Sequence, residues 1–213
     1  ARDVAVMSRT ILTTCPEVLH YTGIWTDALR GGQTQLVNTN KLLRRYNGIT
    51  GLKTGTTSGA GVCISASASR DGLDLIAVVL GAPSSKDRFE AATALLDYGF
   101  GAYRAAPLPA VENRPLLIKV KGSAEQNVPL DYSALPEHIL LRRDAPAELT
   151  AQLELPPELE APVHKGQTVG TVHITAGEEL LGEYDICAAA DAPEMDFDTA
   201  WGLLWTALTG ETE

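Results

Sequence analysis

The sequence is short of the features that announce most metal, redox and membrane-spanning proteins. Cysteine is scarce, with Cys15, Cys63 and Cys187 the three among 213 residues. They form no CxxC and no His-Cys spacing, so neither a zinc site nor a disulfide framework is expected. Buried free thiols are the plain reading, and one disulfide with a spare thiol also fits the count. The four histidines, His20, His138, His164 and His173, likewise lack ligand spacing, so no metal and no cofactor is expected. Apolar runs are short, and none approaches the roughly 18 residues a single spanning helix needs. The opening ARDVAVMSRTIL has no basic region followed by an apolar run, so no signal peptide is read there. Basic residues are few, 17 against 27 acidic for a net charge of -10, which argues against nucleic acid as a partner and weakly against attraction to anionic lipid.

What is present suffices for a core: 45% of residues are hydrophobic and only 21% charged. The charge is split along the chain. Residues 1–105 carry 11 Lys and Arg against 8 Asp and Glu, whereas residues 106–213 carry 6 against 19. Such asymmetry suggests two modules with different surfaces.

In the first module, Val4, Met7, Ile11 and Leu12 recur at helical spacing, as in a helix already under way. Pro16 then suits the first position of a short helix over PEVLHY. NTNKLLRRYNG reads as another helix, with Asn38 or Asn40 as cap and Gly48 as stop. A strand is expected over 50–56. The alternation from Cys63 to Ser69, the turn Asp71-Gly72 and the apolar run Leu73 to Leu80 predict a hairpin. Ser84-x-x-Asp87 is a capping-box pattern, opening a helix with Phe89, Ala92, Leu95 and Leu96 on one face. Helices packed on three antiparallel strands follow, an α+β arrangement.

AAPLPAVENRP reads as a linker, giving expected divisions at 1–105, 106–190 and 191–213. In the second stretch, PLLIKVKG, NVPLDYS, HILLRRD, ELTAQLELP, GQTVGTVHITAG and ELLGEYDIC alternate with period two, predicting a small all-β sandwich or barrel. The tail places Phe197, Trp201, Leu204, Trp205 and Leu208 on one helical stripe. Such a helix could lie on a membrane surface through residues 195–208 or pack on its own domain or another chain; the absence of Lys and Arg from its polar face weakens the first reading.

The segment YNGITGLKTGTTSGAG, Tyr46 to Gly61, carries the chemistry. On a strand, Lys53 and Gly55 share one face and Thr54 takes the other, although edge twist can bring the hydroxyl round. Gly55 lets a peptide approach the backbone and add as a further strand. Lys53 supplies a fixed positive charge beside a reacting hydroxyl, Thr54 can hydrogen-bond a terminal carboxylate, and the Thr56 N-H is a candidate oxyanion donor. The plain alternative is a glycine-flanked Lys-Thr in a turn.

Context makes the motif specific, since Lys-Thr-Gly belongs to the motif set of penicillin-interacting serine enzymes. VNTNKLLRRYNGITGLKTGTTSGAGVCISASASRDGLDLIAVVLGAPSSKDRFEAATALLDYGF resembles the third-motif region of low-molecular-mass penicillin-binding proteins, the serine-type D-Ala-D-Ala carboxypeptidases of the peptidase S11 family. APVHKGQTVGTVHI, Ala161 to Ile174, resembles their C-terminal β-domain, which is followed there by a membrane-anchoring amphipathic helix. The resemblance implies an α+β, transpeptidase-like domain, a β-sandwich and a terminal helix. It implies a secreted enzyme, peripheral on the outer face of the cytoplasmic membrane, that trims peptidoglycan pentapeptides ending in D-Ala-D-Ala and is acylated by β-lactams. It gives Lys53 a catalytic place and Thr54, Gly55, Thr56 and Arg88 places in substrate binding, Arg88 toward the substrate carboxylate; the alternative for Arg88 is a surface residue at a helix start.

One departure stands out. No serine has lysine three residues later, and no Ser-x-Asn occurs, although acyl transfer needs a nucleophile beside a base. The expectation is a C-terminal portion, inactive alone, that pairs with the N-terminal part of the catalytic domain or with another chain. A non-catalytic envelope-binding module and a β-lactamase-like serine hydrolase are the alternatives.

Overall fold

A computed structural model describes residues 1–146 and 148–209; the last four residues of the expected tail lie outside the described residues. The chain forms two compact units, one of Ala1–Ala106 with Leu140–Asp144 and one of Pro107–Ile139 with Ala145–Glu213.

The first unit opens with helices α1 (Arg2–Thr14) and α2 (Val18–Thr22). A hairpin of β1 (Thr26–Leu29) and β2 (Thr34–Val37) follows, turned through Arg30 and Gly31 at φ 53° and 65°. The sequence reading missed it, because its residues are almost wholly exposed and carry no burial alternation. The helix expected over NTNKLLRRYNG is a single 3-10 turn, Lys41–Arg44, whose cap Asn40 accepts from the Leu42 N-H at 3.2 Å. The turn ends at Arg45, short of the expected stop Gly48, which lies just before β3 at φ 77°, where a Cβ would stand 2.4 Å from the Ser69 carbonyl oxygen.

Strands β3 (Ile49–Thr57), β4 (Gly61–Arg70) and β5 (Leu73–Ala82) pair antiparallel in that order, so β3 and β5 are the outer strands. Asp71 and Gly72, at φ 50° and 77°, make the expected tight turn. Helix α3 (Ser85–Ala102) starts as expected: the Ser84 hydroxyl accepts the Asp87 N-H at 3.2 Å and donates to its carboxylate at 2.6 Å.

Period-two alternation gives this sheet two unlike faces. Ile64, Ala66, Ala68 and Ala77 pack with Phe89, Ala92, Leu96 and Phe100 of α3, and Leu42 closes the cluster. Leu95 was expected on that stripe but is 50% exposed. One residue is about 100° of helical rotation, so Leu95 cannot share a face with its neighbour Leu96. The other sheet face carries hydroxyls: Ser65 lies 2.7 Å from Ser8 of α1, and Ser67 2.7 Å from Thr50. Ser8 is the one buried residue of α1, while Met7 and Ile11 of its apolar stripe are exposed.

After β6 (Tyr103–Pro107) come β7 (Leu117–Lys121), β8 (Asn127–Asp131), β9 (His138–Arg142), β10 (Leu149–Glu154), β11 (Glu158–Glu160), β12 (Thr168–Ala176) and β13 (Glu179–Ala188). All six strands read from the sequence form, and the short β11 is additional. The sheet order is β10-β12-β13-β8-β7-β11, antiparallel except for the parallel β11-β7 pair. Ile118, Val120, Val128, Leu130, Ala151, Val172, Ile174 and Ile186 are among its buried positions. Each large aliphatic among them contributes about 1.5–3 kcal/mol by leaving water. β9 does not join this sheet and pairs instead with β6, its Leu140–Arg142 belonging to the first unit.

Helix α4 (Phe197–Thr209) forms where the stripe predicts it. Residues of the stripe are largely exposed: Phe197, Trp201, Leu204, Trp205 and Leu208 are 50–78% so. No helix among the described residues is long and apolar enough to cross a membrane. The expectation of buried thiols also needs correction. All three cysteines are free, Cys15 is exposed, and Cys63 and Cys187 are partly so.

Candidate active site

The outer strand β3 borders an open groove of about 650 Å³ with Lys53, Thr54, Gly55, Thr56 and Arg88 in its lining, so every residue singled out from the sequence is brought to one place. Thr39 from the loop before the 3-10 turn, Lys41 at the start of that turn, Thr57 at the end of β3 and Ser85 at the start of α3 complete it. Three cations and five hydroxyls line it, with no carboxylate, so its field favours an anion.

Alternation along β3 sets the individual environments. Lys53 is exposed and its ammonium folds back on the carbonyl oxygen of Thr54; it has no carboxylate partner among the described residues. Thr54, on the opposite face, is 8% exposed, and its hydroxyl stands 2.5 Å from that of Thr39. Gly55 has open space where a Cβ would project, so packing within this chain does not require glycine there.

Arg88 is not the surface residue that one reading of its position allowed, for it is 5% exposed. Its guanidinium donates to the Cys63 carbonyl oxygen at 3.0 Å and to the Ser85 hydroxyl at 2.9 Å, and stacks 4.5 Å over the Phe89 ring. The Nε-H has no partner among the described residues. Burial pushes the Arg88 pKa down from its ordinary value. The guanidinium is thus buried among neutral partners with one donor, itself closed to solvent, left unused.

Thr39, Lys41 and Ser85 were missed in the sequence. The signal was present in NTNK, where two asparagines flank Thr39, but capping alone accounted for them. Two further cavities of the first unit, about 390 and 570 Å³, are lined by Arg70, Arg104 and Arg143 and by Arg9, Leu12 and Leu75 among others; neither contains Lys53, Thr54 or Gly55. No metal-holding group of His, Cys, Asp and Glu occurs among the described residues.

Comparison with known proteins finds matches to both parts of the chain. Residues 1–84 match the family profile described as D-alanyl-D-alanine carboxypeptidase, and residues 112–194 that described as penicillin-binding protein 5, C-terminal domain. D-alanyl-D-alanine carboxypeptidase DacF of Bacillus subtilis is 32% identical over 93% of this chain and 52% of its own length. DacC of Escherichia coli is 28% identical over 96% of this chain and 50% of its own. Among solved structures, penicillin binding protein 5 from Haemophilus influenzae superimposes with a TM-score of 0.73 at 26% identity, covering 91% of this chain and 56% of that one. The chain spans about half the length of the curated relatives it matches.

Proposed function

We propose, for a chain that belongs to the D-alanyl-D-alanine carboxypeptidase family, that it forms the substrate-holding wall of a serine enzyme trimming peptidoglycan stem peptides outside the cytoplasm. A peptide ending in D-Ala-D-Ala lies along the free edge of β3. Arg88 and Thr54 take its terminal carboxylate, Gly55 admits its backbone, the Thr56 N-H faces the developing oxyanion, and the Lys53 ammonium stabilises negative charge beside the reacting hydroxyl. A serine in polypeptide outside these 213 residues attacks the penultimate D-Ala carbonyl carbon. The C-N bond breaks, D-alanine leaves with a proton, and water hydrolyses the acyl-enzyme and restores the serine. A β-lactam would enter the same groove and stay as the acyl group.

The observation that carries this reading is the convergence of Lys53, Thr54 and Arg88 in a groove without carboxylates on an outer strand. The test is labelling with a fluorescent penicillin. This chain alone stays unlabelled, and a longer polypeptide that supplies Ser-x-x-Lys upstream is labelled; an unlabelled longer polypeptide refutes the enzymatic reading.

The exposed Val6, Met7 and Ile11 of α1 support a companion surface, either upstream polypeptide or another chain. A compact monomer in sedimentation would count against that. The exposed apolar stripe of α4 supports peripheral attachment to the membrane through residues 195–208, checked by vesicle flotation with and without Trp201→Ser and Trp205→Ser.

The absence of Ser-x-x-Lys within these residues favours one further reading, a non-catalytic envelope module. In that case Lys53→Ala leaves the binding of peptidoglycan fragments intact.

A further inference from the structure

Thr54 is the member of the Lys-Thr-Gly segment whose side chain is held by another side chain. Its hydroxyl lies 2.5 Å from the Thr39 hydroxyl, and no other hydrogen-bond partner of either oxygen is recorded among the described residues. A hydroxyl has one proton and two acceptor positions, so what Thr54 can offer a ligand depends on what Thr39 does. If Thr39 donates, the Thr54 proton is free for an acceptor. If Thr54 donates, only its lone pairs face the groove, and these suit a donor.

The loop that bears Thr39 is fixed with unusual thoroughness for a segment outside regular structure. Asn38 accepts the Asn40 N-H at 2.9 Å and donates to the Ile24 carbonyl at 2.9 Å, and its own N-H donates to the Trp25 carbonyl at 2.8 Å. Asn40, 1% exposed, donates to the Gly51 carbonyl of β3 at 3.2 Å and accepts the Leu42 N-H. Thr39 itself is exposed, so packing does not explain why both of its neighbours are fixed, Asn38 to the segment just before β1 and Asn40 to the strand that carries Thr54.

We infer that Thr39 is a positioning residue that donates to the Thr54 hydroxyl and so turns the Thr54 proton outward, making the groove select a terminal carboxylate over a carboxamide. The inference rests on the carboxylate-binding role proposed above for Thr54 and Arg88. The surrounding cations favour this polarity, since an arriving carboxylate is an acceptor only and the chain Thr39 to Thr54 to carboxylate polarises each bond in the same direction. Lys41 and Lys53 supply attraction without directional choice; the hydroxyl pair supplies the choice.

The test is titration of this chain with an N-acyl-D-alanyl-D-alanine and with its C-terminal amide, followed by amide chemical shifts of the residues on β3. The wild type prefers the acid. Thr39→Val keeps the shape, removes the proton, and lowers affinity for the acid about 3- to 10-fold while leaving the amide nearly unchanged. Thr39→Ser restores the preference. A merely structural role would instead lower the melting temperature and weaken both ligands alike, and Thr39→Ser would not rescue selectively. If Thr54→Val and Arg88→Ala abolish the acid preference but Thr39→Val retains it, the inference about Thr39 fails while the groove reading stands. If the wild type shows no acid preference, the groove reading fails and this inference with it.

Discussion

Helices α1 and α3 both pack on the three-stranded sheet, yet they treat it in opposite ways. On the α3 side, Ile64, Ala66 and Ala68 meet Phe89, Ala92, Leu96 and Phe100 in a closed apolar layer. On the α1 side, the same strand β4 offers Ser65 and Ser67, and the helix buries a single residue, Ser8. Lys53 pairs in register with Ser65, so its side chain belongs to this second, hydroxyl-lined face. The comparison separates a closed apolar face from a face lined by hydroxyls and Lys53, and both come from alternate residues of one ten-residue strand.

The largest effect should come from breaking the apolar face. Leu96 is 1% exposed, and Leu96→Ala should cost about 2–5 kcal/mol in denaturant unfolding. Met7→Ala on the opposite helix, at a residue 63% exposed, should change stability by less than about 0.5 kcal/mol. Equal losses would erase the distinction.

A smaller effect sharpens the polar face. Ser65→Ala leaves the Ser8 hydroxyl unpaired and should cost about 1–2 kcal/mol. The double variant Ser8→Ala/Ser65→Ala should cost less than the two single losses added together, because no orphaned hydroxyl remains. Strict additivity would mean that the 2.7 Å contact contributes nothing.

The smallest effect lies in alkali, at the rim of the apolar side. Burial, helped by donation of its hydroxyl to Asp97 of α3 at 2.8 Å, pushes the Tyr46 pKa from 10.0 up to about 12. The folded state therefore holds this proton more tightly than the unfolded chain. The linked stability is fully present below pH 10.0 and is lost as pH rises through about 12. Tyr46→Phe should flatten stability against pH in that window, and an unchanged slope would remove Asp97 and burial as the cause.

The two halves of the molecule also differ in how readily they could be read. In the second unit, period-two alternation in segments such as LIKVK and HILLR was enough to find six strands, since each buries alternate residues. It could not show that β9 leaves the sheet for β6, because pairing partners depend on what lies alongside. In the first unit, the β1-β2 hairpin escaped notice because both strands are exposed and nothing in their composition is periodic. Lys53, Thr54, Gly55, Thr56 and Arg88 were legible because a short motif and a helix start sit at characteristic places in the chain. Thr39 was not, because 14 residues separate it from the hydroxyl it touches.

Sequence alone determined the strands of the β3-β4-β5 sheet, helices α1, α3 and α4, the Ser84 cap, the Asp71-Gly72 turn and the identity of the Lys-Thr-Gly strand, since these depend on local periodicity and on which residues tolerate a given φ. Tertiary structure alone decided that Arg88 is buried with an unused donor, that Thr39 meets Thr54, and that Met7 and Ile11 of α1 and Phe197 and Leu208 of α4 stay exposed. The physical reason is that burial and hydrogen bonding are properties of what stands opposite a residue, and that is set by how distant segments come together.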